Sequence, residues 1–150
     1  MKKLKITPIK DGTVIDHITS GFAVKVLHIL RIPESTSSVV SVAMNVKSKI
    51  GKKDIVKVEN RELDTKEVDK IALIAPKATI NIIRDYEVAE KHKVHLPAEI
   101  VGIVKCSNPT CISNAKEPVK SRFLLVSDDP PCIKCYYCER ETEDIAERII

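Results

Sequence analysis

Tryptophan and glutamine are absent from this 150-residue chain, glycine occurs four times, and the aromatic residues number five: Phe22, Tyr86, Phe123, Tyr136 and Tyr137. Each scarcity excludes something. With glycines only at 12, 21, 51 and 102, neither a G-x-G-x-x-G turn nor a P-loop can be written, which rules out Rossmann and Walker-type phosphate cradles. Five aromatics supply little of the stacking platform that single-stranded nucleic acid needs. No apolar run approaches the roughly 20 residues of a membrane span, and Met1-Lys2-Lys3 leads into alternating Leu4-Lys5-Ile6-Thr7 rather than a signal-peptide core. The expectation is a cytoplasmic protein with no membrane partner. Catalytic patterns are missing as well. His17, His28, His92 and His95 belong to no H-E-x-x-H motif, and there is no G-x-S-x-G elbow.

What is present describes a folded globular protein: 43% hydrophobic and 31% charged residues, with a net charge of +4. The charge is unevenly spread. Residues 1–100 carry 18 basic and 13 acidic side chains, whereas 101–150 carry 7 and 8. The abundance of Lys, Glu, Ile and Val without glutamine or tryptophan fits a thermophile's proteome, which bears on stability and not on function. All five cysteines lie at 106, 111, 132, 135 and 138, and Leu96-Pro97 interrupts regular structure just upstream. Two domains follow, residues 1–97 and 98–150.

In the first domain, Leu4–Ile9 and Thr13–Ile18 alternate around the turn-like Asp11-Gly12, as two short extended segments or one bent strand. Phe22, Ala23, Val26, Leu27 and Leu30 recur at helical spacing and stop before Pro33. Val40, Val42, Met44 and Val46 alternate with smaller or polar residues as a half-buried strand, and after a turn at Gly51 the run Ile55–Val58 reads as its hairpin partner. Asp64 with Glu67 three residues on opens a second helix, which Pro76 ends. Ala78–Arg84 is a further strand, with an extended stretch around Tyr86–Val88. The order strand, helix, strand, strand, helix, strand predicts an α+β fold, a ferredoxin-like antiparallel sheet with two helices on one face and the other face free for a ligand or partner.

Cys106-x4-Cys111 and Cys135-x2-Cys138 are two close pairs that one tetrahedral ion can draw together, and four thiolates suit zinc. Cys132-x2-Cys135 is an equally legal knuckle, so spacing leaves Cys132 and Cys138 as competitors. A closed four-sulfur shell has no open position for water or substrate, which makes the expected Zn2+ structural. A domain of about 50 residues with few large apolar side chains needs such a staple, giving a small all-β zinc-binding domain. A nucleic-acid-binding zinc ribbon is the alternative. Its acidic balance, with about −2 more from a four-thiolate zinc centre, opposes phosphate attraction and favours docking on protein.

Lys47, Lys49, Lys52, Lys53 and Lys57 cluster around a hairpin, with Lys91 and Lys93 further on. A lysine run is ordinarily a solvated face. Asp16-His17 interrupts the apolar Val14-Ile15 and Ile18 with side chains able to bond ribose hydroxyls and phosphate, and Asn81 interrupts Ile80, Ile82 and Ile83. Polar residues in such strands are more often exposed or locally satisfied, so spacing alone leaves ligand binding the lesser reading.

Specific strings then carry a resemblance. Gly12-Thr13-Val14-Ile15-Asp16-His17-Ile18, Lys53-Asp54 through Lys57-Val58-Glu59-Asn60, Ala75-Pro76-Lys77-Ala78-Thr79-Ile80-Asn81 and Tyr86-Glu87-Val88 stand in order with the cysteine spacing and with Glu117-Pro118-Val119 and Cys135-Tyr136-Tyr137-Cys138-Glu139. From about residue 4 to 140 the chain resembles the regulatory chain of aspartate carbamoyltransferase. The resemblance implies a noncatalytic subunit in pyrimidine biosynthesis. Its N-terminal domain would bind nucleoside triphosphate effectors such as CTP and ATP, and its zinc domain would contact the catalytic chain. It further implies a dimer with a second regulatory chain and no nucleic-acid partner. Carried over by position, Asp16 would bond ribose hydroxyls and His17 and Lys91 would meet phosphates. Lys57 would reach base and ribose, and Ile6, Ile9, Asn81, Ile83, Tyr86 and Val88 would line the base pocket. It selects Cys106, Cys111, Cys135 and Cys138 as metal ligands, and places Asn108 and Arg140 toward the catalytic chain.

Overall fold

The computed structural model describes residues 9–32, 34, 36–49, 51–115, 119–128 and 131–150. They form two compact units divided between Val94 and His95, three residues ahead of the boundary expected at 97 and 98.

In the first unit the chain runs β1 (Gly12–Thr19), α1 (Ala23–Ile29), β2 (Val40–Ser48), β3 (Gly51–Glu59), α2 (Thr65–Ile74), β4 (Thr79–Arg84) and β5 (Glu87–Lys93). The sheet order is β2-β3-β1-β4-β5, all neighbours antiparallel. Its first four strands have the ferredoxin-like arrangement. The extended stretch expected around Tyr86–Val88 is present and longer than expected: the chain turns at Asp85-Tyr86 and continues as a full fifth strand beside β4. Its polar composition hid it, because every residue of β5 is exposed and the alternation that marks a half-buried strand is absent. Of the segment Leu4–Ile9, only Ile9 lies within the described residues.

Local chemistry explains the helices. Ala23, Val26 and Leu30 bury one stripe of α1 and its cap. In α2 the Asp64 carboxylate accepts from Glu67 N while Glu67 accepts from Asp64 N, a complete capping box, and Arg61 pairs with the same Glu67. Ile71, Ala72, Leu73 and Ile74 are buried at its far end.

A bulge in β1 shapes the sheet. Ile15 and Ile18 are three apart and belong on opposite faces of a regular strand, yet both are fully buried. The register shift between them, with His17 at φ 58, absorbs the extra residue. Just before it, Gly12 sits at φ +147 with the Val58 carbonyl oxygen 2.2 Å from where a Cβ would stand, so β1 and β3 approach there as only glycine allows.

The second unit is a four-stranded antiparallel sheet in the order β6 (Glu99–Val101), β7 (Arg122–Asp128), β8 (Pro131–Cys135) and β9 (Glu141–Thr142), with 3-10 turns at Ile112–Asn114 and Ile145–Arg148. Ile100, Val104, Phe123, Ile133 and Ile145 make its small core. A bridge joins Ile149 to Val104, in the segment that follows β6. Among the described residues no helix is long and apolar enough to cross a membrane.

Candidate functional site

Two groups of side chains carry chemistry, one in each unit. In the second, Cys106, Cys111, Cys135 and Cys138 place their sulfurs within 4.8 Å of one another. Cys106 and Cys138 are 3.5 Å apart and Cys111 and Cys135 3.6 Å, too far for disulfides and close to the roughly 3.8 Å edge of a tetrahedron with metal–sulfur bonds of about 2.3 Å. The donor set fits one structural zinc. Cys132, the competitor left by spacing, stands three residues before Cys135 on β8 and so on the other face of the strand, beside Ser127.

The loops are built to hold these sulfurs. The Asn114 amide donates to the carbonyls of Cys106 (2.9 Å) and Asn108 (2.7 Å), closing the first knuckle. Backbone N–H groups of Tyr137 and Cys138 point at the Cys135 sulfur, and Glu139 N donates to Cys135 O with Glu139 at φ 64, which turns the second. Asn108 Oδ1 accepts from Thr110 N and Thr110 Oγ1, and its side chain also bonds the Cys138 sulfur. Arg140 reaches the Ser107 carbonyl at 3.4 Å. Both residues that the resemblance turns toward a partner are thus engaged in bracing the zinc loop.

The thiols differ in acidity. Burial pushes Cys106 up to about 12, the Asn108 N–H opposing and Cys138 and Cys135 adding to the rise. Burial likewise raises Cys135. For Cys138 burial is outweighed by the Arg140 N–H and by Cys106, Asn108 and Cys135, which hold it down at about 7. Only thiolates bind zinc, so Cys106 and Cys135 must surrender protons to the solvent on metal uptake. At pH 8 we expect at least two protons released per zinc, read with an indicator in weak buffer. The apparent affinity should rise at least about a hundredfold per pH unit around neutrality.

In the first unit, register brings a row of polar side chains together. Lys57 on β3 pairs with Val14 on β1, Val14 with Asn81 on β4, and Asn81 with Lys91 on β5. The alternate positions Ile80, Ile82, Glu90 and His92 line a cavity with Thr65 and Val68 of α2, which fixes them on the helix side. Lys57, Asn81 and Lys91 therefore share the opposite face. Lys57 is only 5% exposed, and neither it nor Lys91 forms an ion pair with another described residue. Burial lowers the Lys57 pKa, with Glu59 pulling the other way.

Next along this face the β1 bulge presents Asp16 and His17. Asp16 Oδ1 accepts from His17 N at 2.6 Å and meets Lys53 Nζ at 2.9 Å, while His17 Nδ1 lies 3.3 Å from Thr79 Oγ1. Asn81 donates to Val14 O at 3.3 Å. Ile83 pairs with Val88, and a second bulge between Ile82 and Ile83 lets Val88 and Lys91, three apart in sequence, face the same way. Ile9 is buried with its Cδ1 against Gly12, Tyr86 is exposed in the β4–β5 turn, and Ile6 lies outside the described residues. Lys53 and Thr79 went unmarked as site residues in the sequence. Lys53 shares strand parity with Lys57, a signal lost within the lysine run.

Comparison with known proteins supplies the family. Residues 4–95 match the model of the aspartate carbamoyltransferase regulatory chain, allosteric domain, and residues 98–147 that of its metal binding domain. Proteins described as aspartate carbamoyltransferase regulatory chain include one from Methanothrix thermoacetophila, 57% identical over 99% of this chain and 98% of its own length. Others come from Methanothermobacter thermautotrophicus, 56% identical over 95% and 94%, and from Thermococcus sibiricus, 56% identical over 96% and 95%. Similarity of this extent, spanning both units and the metal-binding loops, places the chain in the family of aspartate carbamoyltransferase regulatory chains.

Proposed function

We propose that this chain is the regulatory subunit of an aspartate carbamoyltransferase assembly, with a nucleoside triphosphate site on residues 1–97 and a zinc-held domain, residues 98–150, that docks on the catalytic chain. The observation that carries the effector site is Lys57. A lysine almost wholly removed from water and without an ion pair among the described residues is a rare and costly arrangement, and a bound phosphate or ribose oxygen relieves it. Lys91 and His17 supply further donors for a polyanion. Asp16 accepts from sugar hydroxyls, held in place by Lys53. Ile9, Ile83 and Val88 give the base an apolar wall, Tyr86 an aromatic neighbour and Asn81 an amide that discriminates its edge. None of these groups is arranged to attack phosphorus, so the nucleotide is bound and not hydrolysed.

An effector on one chain governs chemistry on another only if two quaternary states bind it with different affinity. Such coupling runs through contact with the catalytic chain, and the resemblance adds a second regulatory chain to the assembly. The sheet offers two edges. β5 is lined by Glu87, Glu90, Lys91, His92 and Lys93, the charged pattern that discourages strand addition, whereas β2 exposes Val42 and Met44. The β2 edge is the better surface for self-association.

Calorimetric titration of the full chain with CTP and ATP tests the effector site. Lys57→Ala and Lys91→Ala should each weaken binding by about 1.5–3 kcal/mol, the range for hydrogen bonds to charged groups. Because the lowered Lys57 pKa removes its charge earlier than usual as pH rises, affinity should start to fall below the ordinary lysine range. Unchanged binding in both variants places the ligand elsewhere. Tight duplex DNA binding with no nucleotide binding favours the nucleic-acid reading.

A further inference from the structure

The connection between β4 and β5 is two residues long, and both have left-handed backbone: Asp85 at φ 52 and Tyr86 at φ 66. Hairpins of this kind favour Asn-Gly, since a side chain at the second position is strained there. Tyrosine in that place means that neighbouring structure holds the turn. The hold is visible. Asp85 N donates to the Asp11 carboxylate at 3.1 Å, and Tyr86 N donates to the Lys10 carbonyl at 2.9 Å. Asp11 is itself anchored, because its carbonyl accepts from Asn60 N at 2.9 Å and the next residue, Gly12, presses against Val58. One aspartate therefore joins the entry to β1, the exit of β3 and the turn that carries Tyr86.

We propose that Asp11 is a positioning residue for the effector site: its carboxylate clamps the β4–β5 turn so that the Tyr86 ring is held beside the nucleotide base. This rests on the effector site described above, since Tyr86 matters to a ligand only if the base lies next to it. Asp11 touches no ligand itself. Its side chain acts at the β4–β5 turn, beyond the Asn81–Lys91 pair along the strands and so away from Lys91, which is given to the phosphates. Replacing it removes only the side-chain acceptor, because the bonds through the Lys10 and Asp11 carbonyls persist with any residue at position 11.

Titration of the full zinc-loaded chain with ATP, CTP and inorganic triphosphate provides the test, using Asp11→Ala and Asp11→Asn. In Asp11→Ala, affinity for both nucleotides should fall roughly fivefold to tenfold, the value of one hydrogen bond, while affinity for inorganic triphosphate stays at the wild-type value. Asp11→Asn keeps an oxygen acceptor and should restore nucleotide binding to within roughly twofold. Nucleotide affinity in Asp11→Ala equal to wild type, an equal loss for inorganic triphosphate, or an asparagine variant as weak as the alanine one overturns the clamp. Failure of the wild-type chain to bind nucleotide overturns the effector site and the clamp with it.

Discussion

Serine at position 138 will cost this chain its zinc and unfold the second unit, while serine at 132 will leave the metal in place. Cys138 shares a 4.8 Å cluster with Cys106, Cys111 and Cys135, whereas Cys132 lies on the other face of β8. The second unit spans residues 95–150, and its buried large side chains are few, with Ile100, Phe123, Ile133 and Ile145 at the centre. A core of that size falls short of what an independent fold requires, and zinc binding, about 10–16 kcal/mol in small zinc peptides, supplies the difference. Three thiolates and a serine forfeit much of that. Cys132→Ser exchanges a buried sulfur for a hydroxyl, at a cost of about 1–3 kcal/mol. Metal analysis should return one zinc per chain for Cys132→Ser and none for Cys138→Ser, with hydrogen exchange showing residues 98–150 open and the first sheet still protected. Zinc retained by Cys138→Ser and lost from Cys132→Ser would reverse the ligand set. The same loss has a quaternary readout: in sedimentation with the catalytic chain, Cys138→Ser or chelator-treated protein should fail to associate, and the catalytic chain should keep its own activity.

Much of the first unit was legible because its elements are locally consistent. The capping box at Asp64 and Glu67, the helical spacing of Ala23 and Val26, and the alternation of β2 and β4 each point to the structure they adopt. The zinc ligands were legible only as a choice between two knuckles, since spacing does not say on which face of a strand a cysteine stands. What escaped were bulges. An extra residue in β1 and another in β5 shift the two-residue period, so Ile15 with Ile18, and Val88 with Lys91, share faces that simple alternation assigns to opposite sides. The positive φ of His17 is invisible in composition, yet it lets Asp16 and His17 project from one point. Resemblance to a family assigns Val88 and Lys91 to one site by position, where periodicity sets them on opposite faces. Long-range partnerships such as Asp16 with Lys53, or Asp11 with Asp85, have no local signature at all.

Asp54 is the plainest of these, and its replacement is expected to be the most damaging single change in the first unit. It sits in β3 in phase with Val56 and Val58 on the buried stripe, an acidic residue where the pattern calls for an aliphatic one. Fully buried, it accepts from three backbone groups: Gly21 N (2.9 Å) and Ala23 N (3.1 Å) at one oxygen, and Asn45 N (2.9 Å) at the other. The N-cap residue of α1 is Phe22, which has no side-chain oxygen to offer, so Asp54 caps that helix from a neighbouring strand. At Asn45, whose φ is 61, it satisfies the donor that the β2 bulge withdraws from the ladder. Asp54→Ala strands three N–H groups, two of them beside a buried helix end, and should destabilise the first unit by about 4–6 kcal/mol, a large share of a small domain's total. Asp54→Asn retains one acceptor oxygen but turns an amide donor toward N–H groups, and should recover no more than about half of the loss. Denaturant unfolding followed by hydrogen exchange of β1, β2 and α1 measures this, with zinc content as the control that the second unit is intact. An alanine variant within about 1 kcal/mol of the wild type would mean that water or a shifted backbone satisfies those donors, and Asp54 would then have no role in joining helix, bulge and sheet.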